Sequence, residues 1–141
     1  MKKKGKRGLL MDRIRANVWP LVLRRAGYLC EGCKGRKPLE WAHVFGRPGS
    51  GFCLGAIANS VELTTALCRD CHNGLDRGTD AVLRNRLWVT ALVRVVEATI
   101  GLAPPPGGSK AVSLDVRGTI RMVEDAGWSF DEDRCELVKA A

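Results

Sequence analysis

Four cysteines in two close pairs carry the clearest chemistry in this sequence. Cys30 and Cys33 form the first pair, and Cys68 and Cys71 form the second. Two residues between the cysteines of each pair are typical of a structural zinc site, because one tight turn can then present both thiolates to the metal. The long segment between the pairs is no obstacle, since loop-closure entropy rises slowly with length. The sequence therefore predicts one zinc ion held by four cysteines, with two disulfides or four buried thiols as the alternatives.

The only two histidines, His43 and His72, lie within or directly beside this cysteine arrangement. Asp76 follows His72 by four residues, so on a helix the two side chains share one face and can bind one divalent ion. A zinc ion with four thiolate ligands has no open coordination position and cannot act as a catalyst. Any metal-dependent reaction therefore needs a second ion.

Two motifs lie in order after the first cysteine pair: His-x-x-Gly-Arg over residues 43–47 and Leu-Cys-x-x-Cys-His over residues 67–72. Together with that pair they resemble the HNH endonucleases, the ββα-metal nucleases, and most of all the small zinc-bound type found in phages and mobile elements. The resemblance covers residues 18–77. It implies hydrolysis of DNA phosphodiester bonds, a structural Zn²⁺, and a catalytic Mg²⁺ or Mn²⁺, with Ni²⁺ as a further candidate.

The resemblance also implies roles for individual residues. His43 matches the general base, and a neutral imidazole suits that task near neutral pH. His72 matches a ligand of the catalytic divalent ion, and Asp76 occupies the place of a further ligand. Arg47 matches a position that holds a phosphate, for which its guanidinium geometry is well suited.

At two positions the sequence departs from the family pattern. Ala42 stands where the family usually has a metal-binding Asp or His, and Leu63 stands where it usually has an Asn. Glu40 could replace the missing ligand if its strand bends, since on a regular strand it points away from His43. Asn59 could replace the missing Asn as an orienting residue if the strand register shifts.

Charge is unevenly distributed along the chain. The net charge is +8, and residues 1–37 alone carry twelve Lys or Arg against two acids, whereas the remainder is slightly acidic. A basic N-terminal third predicts binding to a polyanion, here DNA, although a solvated tail at residues 2–7 is the alternative. The apolar stretch that begins at Leu9 is too short and too often interrupted by charges for a signal or membrane helix, so we expect a cytoplasmic protein without membrane contact.

The predicted fold class is α+β: a zinc-stapled ββα-metal core with an N-terminal helix and appended C-terminal helices. A short helix should begin at an Asn17 cap and stop at Gly27, after a disordered arm. Strands are expected over residues 39–45 and 61–67, and a helix over 68–77. The domains are a basic arm (1–17), the zinc-bound HNH domain (18–78), a long apolar helix (79–102), a Pro/Gly linker (103–112), and a helix capped by Ser113 with an acidic tail (113–141).

Alternatives to a DNA endonuclease stay open. The first is a catalytically silent zinc module that binds nucleic acid or acts as a scaffold, and the second is an RNA nuclease. The long helix is apolar over a wide arc, so it must pack inside the molecule or against a second subunit. We expect packing inside the molecule, with a homodimer as the alternative.

Overall fold

The structure is a computed structural model that describes residues 5–100 and 115–140. It has the predicted α+β composition, with four α-helices and two small antiparallel sheets in the described part of the chain. The elements are α1 (Lys6–Arg25), β1 (Leu39–His43), a 3₁₀ helix (Gly55–Asn59), β2 (Thr64–Cys68), α2 (Arg69–Arg77), α3 (Ala81–Ile100), α4 (Val116–Asp125), β3 (Trp128–Asp131) and β4 (Glu136–Lys139). The predicted linker over 103–112 and the Ser113 cap lie outside the described residues.

Helix α1 is longer than the sequence prediction. It begins at Lys6 rather than after Asn17, so most of the segment predicted as a basic arm is helical. The reason is an apolar stripe with one residue every four positions, Ile14, Val18 and Val22, all of which are fully buried. Asn17 lies inside the helix and donates its side-chain amide to the Arg13 carbonyl at 2.8 Å instead of capping.

The first sheet joins the two predicted strands of the core. β1 and β2 run antiparallel, with Leu39 opposite Cys68 and His43 opposite Thr64. β2 begins at Thr64 rather than at Val61, because residues 61–63 form a turn whose Leu63 side chain is fully buried. Helix α2 starts directly after β2, so the chain places two strands and a helix in the order ββα.

Helix α3 packs inside the molecule, as expected. It contacts α2, α4 and β4, and its buried side chains include Leu83, Leu87, Ala91, Leu92 and Val95. Two arginines outside the apolar arc of the same helix also make contacts within the molecule. Arg86 donates to the Gly32 carbonyl at 2.6 Å, and Arg94 lies 2.9 Å from the Glu31 carboxylate, so both bind the segment between the first two cysteines.

The C-terminal part forms a helix followed by a hairpin. α4 is capped by Asp115, whose carboxylate accepts the Gly118 N–H at 2.9 Å. The segment predicted as an acidic tail contains the antiparallel pair β3–β4. Its turn lies against α1, where Arg13 binds the Asp133 carboxylate at 3.1 Å.

None of the described helices combines the length and apolar character needed to cross a bilayer.

Candidate functional site

The four paired cysteines converge beside the β1–β2 sheet. The sulfur atoms of Cys30, Cys33, Cys68 and Cys71 all lie within 4.8 Å of one another, and the Sγ atoms of Cys33 and Cys68 are 3.9 Å apart. Four thiolates at the usual Zn–S distance of about 2.3 Å would be separated by about 3.8 Å. Each of the six cysteines is a free thiol. The group could therefore hold a zinc ion, as the sequence predicted.

Backbone N–H groups stabilise the thiolate form of Cys30, the form that binds a metal. The sulfur of Cys30 accepts from the N–H groups of Gly32 (3.3 Å), Cys33 (3.4 Å) and Cys68 (3.3 Å). Burial alone would raise the pKa of the Cys30 thiol, but these donors stabilise the thiolate more strongly and lower its pKa to about 6. Burial, together with the neighbouring sulfurs, raises the pKa of Cys71. Zinc would supply the positive charge that lets all four thiols ionise.

Gly32 allows the close approach of the two segments that carry the cysteine pairs, the first cysteine turn (residues 30–33) and the second (residues 68–71). A Cβ atom at this position would lie 2.9 Å from the Cys71 sulfur and 3.0 Å from the Cys71 Cβ. Real Cβ atoms essentially never approach another heavy atom that closely. A side chain here would therefore push apart the two turns that carry the thiolates.

A buried carboxylate that the sequence analysis missed fixes the first cysteine turn. Glu31 is only 8% exposed and binds two arginines, Arg25 at the end of α1 at 2.8 Å and Arg94 of α3 at 2.9 Å. It also accepts from the Thr65 hydroxyl (3.1 Å) and the Ala66 N–H (3.0 Å) of β2. Burial favours the neutral acid, but the Arg25 hydrogen bond and the remaining partners outweigh burial and lower the pKa of Glu31.

His72 lies between two carboxylates. Its Nδ1 is 2.9 Å from Glu40 Oε1, and its Nε2 is 3.2 Å from Asp76 Oδ2. The hydrogen bond to His72 is the largest of the effects that lower the pKa of Glu40. Glu40 therefore contacts the second histidine from the strand, on the ring edge opposite Asp76.

This arrangement suits a divalent ion at the Nε2 edge of His72. Neighbouring ligand atoms of an octahedral ion with bonds of about 2.1 Å are about 3 Å apart, which is close to the 3.2 Å between Nε2 and Asp76 Oδ2. A metal-binding histidine usually donates its other N–H to a carboxylate, the position that Glu40 has here. Two protein ligands would leave the remaining positions to water or substrate oxygens. Among the described residues, only the four cysteines form a group of three or more candidate metal ligands.

His43 is held by Asn59. Its Nε2 lies 2.7 Å from Asn59 Oδ1, and the amide nitrogen of Asn59 points to the Met11 sulfur of α1 at 3.8 Å. An Nε2–H that donates to Asn59 leaves Nδ1 as the nitrogen that can accept a proton. Asn59 reaches this position from the end of the 3₁₀ helix, outside β2, so its contact with His43 needs no shift of the strand register.

Burial keeps His43 neutral. The side chain is 8% exposed, and its loss of hydration is the largest effect that lowers its pKa below the usual value. The charges of Arg47 and His72 act in the same direction, whereas the Asn59 hydrogen bond and Asp76 oppose them. A neutral imidazole at neutral pH can accept a proton from water.

Two clefts meet at His43. One has a volume of about 370 Å³ and combines residues of α1, β1 and the following loop: Met11, Asp12, Arg15, Leu39, Glu40, Trp41, His43 and Arg47. The other, of about 170 Å³, contains Asp76 and Arg84 beside His43. Arg47 is exposed. The structure thus brings the predicted site residues His43, Glu40, Arg47 and Asp76 to connected clefts.

Ala42 and Leu63, the two departures from the family pattern, are fully buried in the core. Neither supplies a polar group to the clefts. The contribution of α1 to the site was not predicted, and the four-residue repeat of its apolar side chains is the signal that could have indicated it.

Comparisons with family models, curated proteins and solved structures find no match to this chain.

Proposed function

We propose that this protein is a metal-dependent DNA endonuclease of the HNH type. The observation that supports it is the pairing of a neutral, buried histidine held by an amide, His43 with Asn59, with a second histidine between two carboxylates, Glu40 and Asp76. Both pairs belong to one ββα unit that a cysteine group could hold together.

Each residue then has a role that follows from its position. His43 takes a proton from the attacking water at Nδ1, because Nε2 is bound to Asn59. Arg47, exposed at the cleft, binds a phosphate oxygen of the substrate. His72 and Asp76 would hold the divalent ion, and Glu40 orients His72. When bound, Mg²⁺ or Mn²⁺ supplies positive charge for the phosphate and the leaving oxygen.

The proposal is tested by cleavage of supercoiled plasmid with Mg²⁺, Mn²⁺ or Ni²⁺, comparing the native protein with His43→Ala. Removing a general base should lower the rate by about 10²–10⁴-fold. Zinc content and the thermal unfolding midpoint show whether the variant is folded. A native protein that cleaves with none of these ions, or a folded His43→Ala variant as active as native, contradicts the proposal.

A matched pair of aspartates tests the divalent-ion site. Asp76→Asn removes a ligand beside His72 and should raise the metal concentration needed for half-maximal activity. Asp70→Asn makes the same charge change on an exposed position of α2, and we expect no change. Equal responses of the two variants would mean that the ion does not bind at Asp76.

A second candidate is a catalytically silent zinc-stabilised nucleic-acid-binding or scaffolding module. It is favoured by the buried, apolar Ala42 beside His43, which leaves His72 and Asp76 as the only two protein ligands assigned to the ion. DNA binding without cleavage under any divalent ion would identify this module. The expected partner is DNA; an RNA substrate would be recognised by competition. We expect a cytoplasmic location in either case.

A further inference from the structure

A third cleft lies beside the first cysteine turn, and His43 does not line it. Its volume is about 490 Å³, and its lining comes from the end of α1 and the turn before β1: Gly27, Tyr28, Leu29, Arg36, Lys37 and Pro38. No step of the proposed reaction uses it. Pro38 lines this cleft and the next residue, Leu39, lines the His43 cleft, so the two clefts adjoin along the start of β1.

Tyr28 has an unusual backbone conformation for an aromatic residue. Its φ angle is +61°, directly after Gly27 at +64°. Glycine and asparagine adopt this left-handed region readily, whereas a bulky side chain there is an outlier that costs free energy. The Tyr28 side chain is nevertheless 65% exposed, so burial in the core does not offset that cost. Neither the turn nor the core explains an aromatic ring at this position.

The same cleft is positively charged. Arg36 and Lys37 line it, and both are exposed. Within the part of the chain that the structure describes, neither forms an ion pair with an acidic side chain. The sulfurs of Cys33 and Cys68 lie near Lys37, and their charge raises its pKa. An exposed aromatic ring beside exposed cations is the combination that binds single-stranded nucleic acid, because bases stack on the ring and phosphates contact the cations.

We propose that this cleft binds an unpaired nucleotide, with its base stacked on Tyr28 and the strand's phosphates held by Arg36 and Lys37. The position of the bound nucleotide relative to a cleaved bond rests on the proposed function. The two clefts adjoin at Pro38 and Leu39, so the preferred substrate carries an unpaired segment on the strand beside the cleaved bond.

The test measures fluorescence anisotropy of two labelled 20-nucleotide single strands of equal charge, one with bases and one built from abasic sites. The protein carries His43→Ala, so binding is measured without cleavage. Tyr28→Asn removes the ring but suits the left-handed backbone, so a folding defect is not expected. It should weaken binding of the strand with bases by about 5–100-fold and leave the abasic strand unchanged. Tyr28→Phe keeps the ring and should bind as native.

The cations have a separate prediction. Arg36→Ala should weaken both strands equally and reduce the steepness of the salt dependence. Arg24→Ala removes one charge from an exposed position of α1 that does not line the cleft, and its effect should be smaller.

Unchanged binding of the strand with bases after Tyr28→Asn, or an equal loss on both strands, would overturn the stacking proposal. The two proposals fail in different experiments. If only the stacking proposal is wrong, the native protein still cleaves plasmid. If the proposed function is wrong, plasmid cleavage is absent while base-dependent binding remains. A cleft that serves a protein partner would likewise give unchanged binding of both strands.

Discussion

The buried carboxylate of Glu31 should contribute a large part of the stability of this fold. Glu31→Gln keeps the shape of the side chain but removes the negative charge between Arg25 and Arg94. The two guanidinium groups would then lose the carboxylate that binds both of them directly, and Glu62 would be the acidic group left to act on the pair. Removing one partner of a buried ion pair costs about 3–5 kcal/mol. For a chain of this length that corresponds to a drop of about 10–20 °C in the unfolding midpoint.

Urea unfolding at fixed zinc concentration, followed by circular dichroism, measures this free energy. Glu136→Gln is the matched control, because its ion pair with Arg134 is exposed, with 52% and 67% of the side chains accessible. Exposed pairs contribute about 0–1 kcal/mol. A loss at Glu31→Gln no larger than that of the control would refute the reasoning that this network is energetically dominant.

The pH dependence gives a second measurement of the same group. The pKa of Glu31 is lowered in the folded protein, so its stabilisation is complete above the unfolded pKa of about 4.3 and is lost as pH falls through the folded pKa. Acid also releases zinc from thiolates, which affects native and variant alike. The stability difference between native and Glu31→Gln should therefore shrink below about pH 4.3; a difference that persists there would mean that charge is not its cause.

Three further predictions concern the cysteine group and His43. Cys71→Ser should lower zinc content and unfold the central unit, because structural zinc contributes folding free energy directly; cooperative unfolding of the metal-stripped protein at the native midpoint would contradict this. Gly32→Ala should weaken zinc binding in a chelator competition, whereas Gly5→Ala, with nothing within 4 Å of its Cβ, should not. Asn59→Asp places a carboxylate on His43 and raises its pKa, so the acid limb of a pH–rate profile should move to higher pH; an unmoved limb would exclude His43 as the titrating base.

The parts of the fold that sequence could predict are those encoded locally. The cysteine spacing identified the candidate zinc group, and the β-branched and apolar runs identified β1 and β2 to within a few residues. The helix α2 was expected from its position at the second cysteine pair. The start of α1 was wrong, because the charges around Lys6 were interpreted as disorder, although the stripe from Ile14 to Val22 already had helical spacing. The local charge was given more weight than the apolar spacing, although burial of the apolar side chains determines whether the helix forms.

The roles that escaped prediction depend on contacts between distant segments. Glu31 binds Arg94, 63 residues away, and nothing in its local sequence indicates burial. Asn59 was considered only with a shifted strand, because a 3₁₀ helix of five residues carries too weak a pattern to be recognised. Glu40 was considered as a metal ligand, yet it lies against the opposite ring edge of His72 from Asp76, which suits an orienting role.

The contacts of α3 with the first cysteine turn limit which segment of this chain recombination could transfer to another protein. Arg86 and Arg94 hold the backbone and carboxylate of that turn from a helix that follows the ββα segment, and Arg25 holds it from a helix that precedes it. A recombination event that moved residues 30–77 alone would leave Glu31 without both counter-charges. A segment exchanged without loss of these contacts must therefore include at least α1 through α3.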